Sequence, residues 1–389
     1  MSRRAQAREV VGSEASSGKI LSPRRALAPQ RIPQLLVQKA LVTTRDLLAG
    51  EVRITPLSQR HQNFRVSLDH APGFFIKQGT QAGTTGTLAR EARIYELLTR
   101  APANPSVCRF LPRVHDYDAR ADVLILEEVA CANDLLKYHE GSARFPVGIG
   151  RSLGQALGSL HAAALPEAPP ECGRPMALNL QRPELGVLRR ASAATLELMQ
   201  LVRQQPCLFE GLEKLRLEWR SETFIHCDVK LANVLVERGA RRRIQGVRLV
   251  DWEFAGLGDP AWDLGSVFAA YLALWVSSIP MPRTDEPALL MHEAGSPLLR
   301  IQPLLGAFWD SYCRTLESMD GPTPDLWRAL RMTAARLLQT VYELCQFTMD
   351  LSGRMAVLVQ LAINILDRPQ DALVHLLALP TPSMKPSPR

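Results

Sequence analysis

The second half of the chain carries polar side chains at a spacing that suits phosphoryl transfer. Asp228 is followed five residues later by Asn233, and Asp251 comes after further apolar residues. Phosphoryl transfer needs an aligned nucleophile and cations beside the phosphates more than covalent help from the protein. Asp228 could orient an attacking hydroxyl, and oxygens of Asn233 and Asp251 suit a hard Mg²⁺ ion. Each residue alone could merely cap a turn, but the ordered set favours a catalytic site.

A lysine in the first half of the chain is a candidate to bind phosphates. Lys77 lies within the apolar segment 74–78, where a charge is unexpected unless it has a partner. Glu91, fourteen residues later on a predicted helix, is the favoured partner because it shares a face with apolar residues, and Glu96 is the competitor. The structural alternative for Lys77 is an edge-strand lysine whose amine reaches solvent.

The elements that must position these residues change period along the chain. Alternating apolar residues predict five strands, over 51–57, 63–68, 74–78, 113–119 and 123–129. Helical spacing predicts helices over 31–49 and 87–100, and it dominates from residue 148 except for a hairpin embedded at 224–254. The order indicates an α+β chain with a small β-rich lobe followed by a large helical lobe.

Composition divides the chain into two tails and two lobes. Residues 1–30 are rich in Arg, Ala, Ser and Pro without periodicity, and residues 380–389 are rich in Pro and Ser, so both tails are predicted to be disordered. Between them we expect a nucleotide-binding lobe over 31–129 and a catalytic and acceptor lobe over 130–379.

The net charge of +7 belongs mostly to these tails. Six basic and two acidic residues give +4 to residues 1–30, and two basic residues give +2 to residues 380–389, which leaves +1 for the remainder. A basic charge distributed in this way is weak evidence for nucleic-acid binding, and we expect no nucleic-acid partner.

Seven scattered cysteines without a C-x-x-C pair argue against a zinc site and a disulfide framework. They favour a reducing compartment, and a cytoplasmic protein is expected. The uncharged segment 264–282 approaches the length of a membrane span, but Ser277, Ser278 and Pro280 interrupt its end. This segment is therefore interpreted as a buried helix, and no membrane association is expected.

These segments resemble the aminoglycoside phosphotransferase and choline kinase family, which shares the protein-kinase-like fold. The resemblance runs from about Glu51 to Val276 and is specific at HCDVKLANVL and LVDWEFAGLGDPAWDL. It implies a bilobal fold, with a five-stranded antiparallel sheet in the smaller lobe, and an enzyme that moves the γ-phosphate of ATP, with Mg²⁺, to a hydroxyl-bearing acceptor.

The resemblance also assigns roles by position. Asp228 matches the catalytic aspartate, Asn233 and Asp251 match the metal ligands, and Lys77 with Glu91 matches the ion pair that holds the phosphates of ATP. Further matches are the adenine-binding hinge, with Glu127 and Val129, and two aspartates that brace the catalytic loop, Asp259 and Asp263. Asn63, at the end of the first interstrand loop, completes the candidate cofactor-binding residues, and His161 is expected to be a core histidine.

Three features depart from the family pattern. The loop 58–63 has no glycine, although glycine there usually lets backbone N–H groups approach the phosphates, so Arg60 or the loop Gly79–Gly86 could cover the triphosphate instead. Cys227 replaces a common glycine. Lys230 resembles the lysine of Ser/Thr protein kinases and could stabilise the transferring phosphoryl group, with an exposed loop lysine as the structural alternative.

The acceptor is the least defined part of the prediction. Residues 165–222 hold eight basic and eight acidic residues, so no acidic pocket for a polycation is evident. The segments LSQRHQNFRV and FFIKQ, with D-x-K-x-x-N, are similar to phosphotransferases encoded with class V lanthipeptide and thioamitide peptides. That similarity implies Ser or Thr of a precursor peptide as acceptor. A small-molecule alcohol kinase and an inactive pseudokinase that binds a partner are the alternatives.

Overall fold

The computed structural model describes residues 26–58, 61–79, 87–100, 105–129, 132–165, 167–239, 243–279 and 287–381, with backbone only for 287–297. The predictions for residues 1–25, for Arg60, for residues 80–86 and for residues 382–389 lie outside the described residues. Leu27, within the segment assigned to the N-terminal tail, donates its backbone N–H to Gln78 Oε1 at 2.6 Å.

The smaller lobe is built on a five-stranded antiparallel sheet with the strand order β1-β2-β3-β5-β4. Its strands are β1 Val52–Ser58, β2 Gln62–Leu68, β3 Phe74–Gln78, β4 Val114–Asp118 and β5 Val123–Glu127. Its helices are α1 Ile32–Gln38, α2 Thr44–Leu48, α3 Thr87–Arg100 and α4 Pro105–Cys108. These strands and helices confirm the predicted α+β architecture. Alternating apolar residues of the strands, among them Phe64, Val66 and Ile76, face one side of the sheet and form one buried cluster.

One predicted helix is divided. The sequence predicted a single helix over 31–49, but the backbone breaks between α1 and α2, where Ala40 has a left-handed φ of 54°. Thr43 then caps α2 in a reciprocal capping box with Asp46. The left-handed residue at Ala40 and the cap at Thr43 thus interrupted the helix that the apolar spacing predicted.

The larger lobe is mainly helical. Its helices are α5 Leu135–Ser142, α6 Val147–His161, α7 Leu185–Leu188, α8 Ala193–Gln204, α9 Pro206–Leu217, α10 Pro260–Ser278, α11 Pro287–Ser318, α12 Leu326–Cys345, α13 Gly353–Asp367 and α14 Pro369–Asp371. Its short strands are β6 Asn133–Asp134, β7 Thr223–Ile225, β8 Val234–Arg238, β9 Ile244–Leu249 and β10 Gly256–Gly258. The pair β8–β9 is the predicted embedded hairpin, and Asn233 and Val250 flank it.

Close helix packing holds this lobe together. Gly150, Gly154 and Gly158 form one face of α6, and a Cβ added at Gly154 would lie 2.4 Å from the Phe308 carbonyl oxygen of α11. Helix α10 is buried along most of its length, as interpreted from the sequence. None of the described helices combines the length and the apolar character that a membrane span requires.

Candidate active site

A cavity of about 410 Å³ lies between the two lobes. Both lobes line it, and its walls include seven of the nine predicted site residues: Asn63, Lys77, Glu127, Val129, Lys230, Asn233 and Asp251. The other two, Glu91 and Asp228, contact Lys77 and Lys230 directly. The fold therefore gathers residues from distant parts of the sequence around one space.

Lys77 is the centre of a buried ion cluster. Its Nζ donates to both carboxylate oxygens of Glu91 at 2.9 Å and to Asp251 Oδ1 at 2.8 Å. Strand β3 supplies the lysine, helix α3 supplies Glu91, and Asp251 comes from the larger lobe. The competitor Glu96 instead pairs with Arg93 and Arg100 on the surface of α3. The direct contact between Lys77 and Asp251 was not predicted from the sequence.

The electrostatics of this cluster favour the charged forms of Lys77 and Asp251, whereas burial raises the pKa of Glu91. Burial by itself would lower the pKa of Lys77, but the carboxylates of Glu91 and Asp251 outweigh burial and raise that pKa. Burial would likewise raise the pKa of Asp251, but the ammonium of Lys77 holds it below its ordinary value. The cavity consequently presents a fixed cation beside an ionised carboxylate at neutral pH.

Asp228 lies at the edge of the cavity within a compact hydrogen-bond network. Lys230 Nζ donates to Asp228 Oδ2 at 2.7 Å, and Asn233 Nδ2 donates to Oδ2 and to the backbone carbonyl of Asp228, both at 3.0 Å. Burial opposes ionisation of Lys230, but Asp228 outweighs burial and raises the pKa of Lys230. This network fixes one carboxylate oxygen and orients the side chain.

Asp263 braces the loop that carries Asp228. Its carboxylate accepts the backbone N–H of His226 at 2.7 Å and that of Cys227 at 2.9 Å. His161 lies 3.3 Å from the same carboxylate and 2.9 Å from the Tyr312 hydroxyl, with its side chain fully buried. Asp259 binds the guanidinium of Arg328, an arginine of α12 that the sequence did not single out. These contacts support the loop through residues that do not line the cavity.

Two residues of the site have left-handed backbone conformations. Cys227 has a φ of 67° and Asp251 has a φ of 71°. The angle at Cys227 explains why glycine suits that position, because residues with a Cβ rarely adopt it without strain. Hydrogen bonding with Cys172, together with burial, raises the pKa of Cys227, so its thiol stays protonated and is a poor nucleophile.

The residues predicted to bind metal have suitable chemistry. Because Asn233 Nδ2 is committed to Asp228, the amide oxygen of Asn233 is left as its available ligand atom. Oδ1 of Asp251 accepts a hydrogen bond from Lys77, and within the described chain Oδ2 of Asp251 accepts none. Together with phosphate oxygens, these hard donors fit Mg²⁺. The described residues contain no group of three or more His, Cys, Asp or Glu side chains that could hold a metal without such help.

Asn63 faces the same cavity from the sheet. It is paired across strands with Lys77, is 5% exposed, and its Oδ1 has no hydrogen-bond partner within the described residues. Arg65, two residues further on the same face of β2, also lines the cavity and was missed because a strand arginine gives no motif. At the hinge, the backbone amide of Val129 donates no hydrogen bond among the described residues.

A third arginine that the sequence analysis did not single out lies beside Asp228. Arg336 Nη2, on α12, is 3.9 Å from Asp228 Oδ1. The two residues are more than a hundred positions apart, and Arg336 occupies an ordinary amphipathic helix. The available signal was a charged residue flanked by apolar neighbours in a helix with three other charged residues, which spacing alone cannot assign to a site.

Comparisons with known proteins identify a family for this chain. A model of the phosphotransferase enzyme family, APH, matches residues 53–319. Similar solved structures include a choline kinase from Streptococcus pneumoniae, with 16% identity, 87% of this chain and 99% of that chain covered, and a TM-score of 0.48. A choline/ethanolamine kinase family protein from Mesorhizobium loti has 17% identity, coverage of 89% and 98%, and a TM-score of 0.48.

A macrolide 2′-phosphotransferase from Brachybacterium faecium has 15% identity, coverage of 85% and 99%, and a TM-score of 0.43. A search of curated proteins gives no match. The family match spans well over half of the sequence and includes the residues of the cavity. The chain therefore belongs to the phosphotransferase enzyme family, APH, and is an enzyme that transfers a phosphoryl group to a hydroxyl acceptor.

Proposed function

We propose that this chain is an ATP- and Mg²⁺-dependent O-phosphotransferase in which Asp228 aligns the acceptor hydroxyl. The observation that carries the proposal is the contact of Lys77 with Glu91 and Asp251 at 2.8–2.9 Å, because it joins residues of both lobes at one cavity. Such a cluster provides a lysine for the phosphates beside a carboxylate for the metal.

The proposed mechanism assigns one task to each group. Lys77, held by Glu91, binds the phosphates, while the hinge residues Glu127 and Val129 hold the adenine through backbone groups. Asp228 orients the hydroxyl and accepts its proton, a contribution of about 10²–10⁴ in rate for a general base. Lys230, already hydrogen-bonded to Asp228, neutralises charge that develops on the transferred phosphoryl group.

Asn233 and Asp251 are proposed to hold the Mg²⁺ ion, which would neutralise the phosphate oxygens and favour in-line transfer. Asn63 is proposed to contact the nucleotide because its buried, unpartnered amide oxygen is at the wall of the cavity. A hydrogen bond from the nucleotide would satisfy that oxygen.

For the acceptor, Ser or Thr of a peptide in lanthipeptide-type biosynthesis is the leading proposal, supported by the similarity of D-x-K-x-x-N and of the strand segments. A small-molecule alcohol is the alternative within the same family.

The test measures ATP consumption and phosphate transfer by the wild type and by Asp228→Ala. We expect Asp228→Ala to lose about 10²–10⁴ in rate while it still binds a nonhydrolysable ATP analogue. Unchanged turnover in the variant would refute the assigned role of Asp228. Nucleotide binding by the wild type without any turnover would instead support an inactive binding module.

A further inference from the structure

We propose that Arg336 positions the acceptor, and that the acceptor carries a carbonyl or carboxylate oxygen near its reacting hydroxyl in place of an ammonium group. This inference rests on the proposed function, and it names the chemical class of the acceptor. Within the described chain, Arg336 carries the one guanidinium of the helical lobe that approaches the carboxylate of Asp228.

Arg336 is held so that one edge of its guanidinium faces Asp228. The residue is 5% exposed, and its Nη1 donates to Thr340 Oγ1 at 3.1 Å and to Glu343 Oε1 at 3.4 Å. Gln339 Nε2 donates to the same oxygen of Glu343 at 3.1 Å and so fixes that carboxylate. Two neighbours on α12 therefore set the direction of the guanidinium.

The opposite nitrogen is left available to a ligand. Nη2 is 3.9 Å from Asp228 Oδ1, which is too far for a hydrogen bond, and it donates no hydrogen bond within the described residues. Nη2 is not among the buried polar atoms that lack a partner, so it has accessible surface from which it can donate to a ligand. An acceptor oxygen that receives a hydrogen bond from Nη2 would lie within a few ångströms of Asp228, beside the hydroxyl that Asp228 orients.

Charge at this position selects between acceptors. Lys230 Nζ contacts Oδ2 of Asp228, and Arg336 Nη2 faces Oδ1 of the same carboxylate. The proposed catalytic carboxylate therefore has a cation beside each of its oxygens. An ammonium group close to the reacting hydroxyl would meet these like charges, which is unfavourable. Glu343 accepts a hydrogen bond from Nη1 of Arg336, so Nη2 is the nitrogen of this guanidinium that faces the acceptor. A carbonyl or carboxylate oxygen is attracted instead.

The first experiment compares acceptors that differ in the charge beside the hydroxyl. The probes are D-glycerate, which carries a carboxylate, a short Ser peptide with both ends blocked, which carries only carbonyl groups, and choline, which carries an ammonium group. We expect kcat/KM for glycerate or for the peptide to exceed that for choline at least tenfold, equivalent to about 1.4 kcal/mol. The glycerate and peptide arms separate a free hydroxy acid from a peptide as the source of the oxygen.

The second experiment substitutes the arginine. Arg336→Met is expected to raise the KM for the preferred acceptor at least tenfold and to leave the KM for ATP within about twofold. Arg336→Lys, which keeps the charge but loses the planar fork, should recover part of the loss with glycerate. Arg314→Met, an exposed arginine of α11, is the matched control and should behave as the wild type.

The results distinguish two kinds of failure. Transfer that prefers choline, transfer to neither glycerate nor the peptide by an enzyme that turns over ATP, or an acceptor KM unaffected by Arg336→Met would each overturn this inference alone. A purely structural role of Arg336 would raise both KM values and lower the melting temperature together. A wild type that consumes no ATP would refute the proposed function and, with it, this inference.

Discussion

Lys77 and Glu91 form an ion pair from which water is almost fully excluded, with side chains 7% and 0% exposed. Removing one partner of such a pair leaves an uncompensated charge in a low-dielectric environment. We therefore expect Lys77→Met to lower the free energy of unfolding by about 3–5 kcal/mol. Urea unfolding monitored by circular dichroism measures this change.

The double variant Lys77→Met/Glu91→Leu separates the charge effect from lost packing. It removes both charges, so it should regain most of the lost stability while remaining inactive. A double variant that is less stable than Lys77→Met would show that the buried charge of Glu91 is not the cause of the destabilisation.

His139 links two helices of the larger lobe through its neutral ring. Its Nδ1 lies 2.7 Å from the Arg144 carbonyl, and its Nε2 lies 3.1 Å from the hydroxyl of Tyr271 on α10. Burial lowers the pKa of His139. Below about pH 6.5, His139 therefore binds a proton more readily in the unfolded chain than in the folded chain. The free energy of unfolding consequently decreases as the pH falls below that value.

Comparison of unfolding free energies at about pH 7.5 and 5.5 tests the role of His139. We expect the wild type to lose more stability between these values than His139→Gln, because the variant has no group to protonate there. Equal losses in the two proteins would show that other groups cause the acid sensitivity.

The contact between α6 and α11 depends on a glycine face. A Cβ at Gly154 would lie 2.4 Å from the carbonyl oxygen of Phe308 and 2.7 Å from the backbone nitrogen of Tyr312, and backbone atoms cannot move aside as a flexible side chain can. We expect Gly154→Ala to destabilise the protein by about 1–3 kcal/mol through overpacking.

Gly148 in the same helix offers a matched control. A Cβ there meets nothing within 4 Å, so Gly148→Ala should raise stability by up to about 1 kcal/mol through reduced chain entropy in the unfolded state. Thermal unfolding of both variants measures the difference. Equal effects would mean that the helices separate readily to accommodate the methyl group.

The two lobes share the cavity that is proposed to bind ATP, so ligand binding should stabilise the molecule as a whole. A nonhydrolysable ATP analogue with Mg²⁺, at about 100 times its Kd, is expected to add about 2.7 kcal/mol to the free energy of unfolding. Thermal shift measurements with added EDTA should show a smaller gain, because Asn233 and Asp251 would then face the phosphates without the metal. Equal shifts with and without EDTA would contradict the proposed metal site.

Much of the fold could be predicted because it depends on the hydrophobic periodicity and motif spacing of neighbouring residues. Period-two alternation located the five strands within a residue or two, and the segment from Asp228 to Asp251 has the spacing of a catalytic loop and its following hairpin. The choice of Glu91 over Glu96 also succeeded, because one face of α3 is apolar and only one of the two carboxylates lies on it. The prediction of a single helix over 31–49 was wrong because no characteristic residue type marks the break at Ala40.

The amino-acid sequence thus determined most of the candidate residues for the chemistry, since motif spacing and hydrophobic period are properties of neighbouring residues. Only the tertiary structure decided which of them meet. It placed Lys77 2.8 Å from Asp251 across 174 residues, and it brought Arg336 of α12 beside Asp228. Such meetings depend on how distant helices and sheets pack around a common core, and that packing is set by shape and burial over the whole molecule.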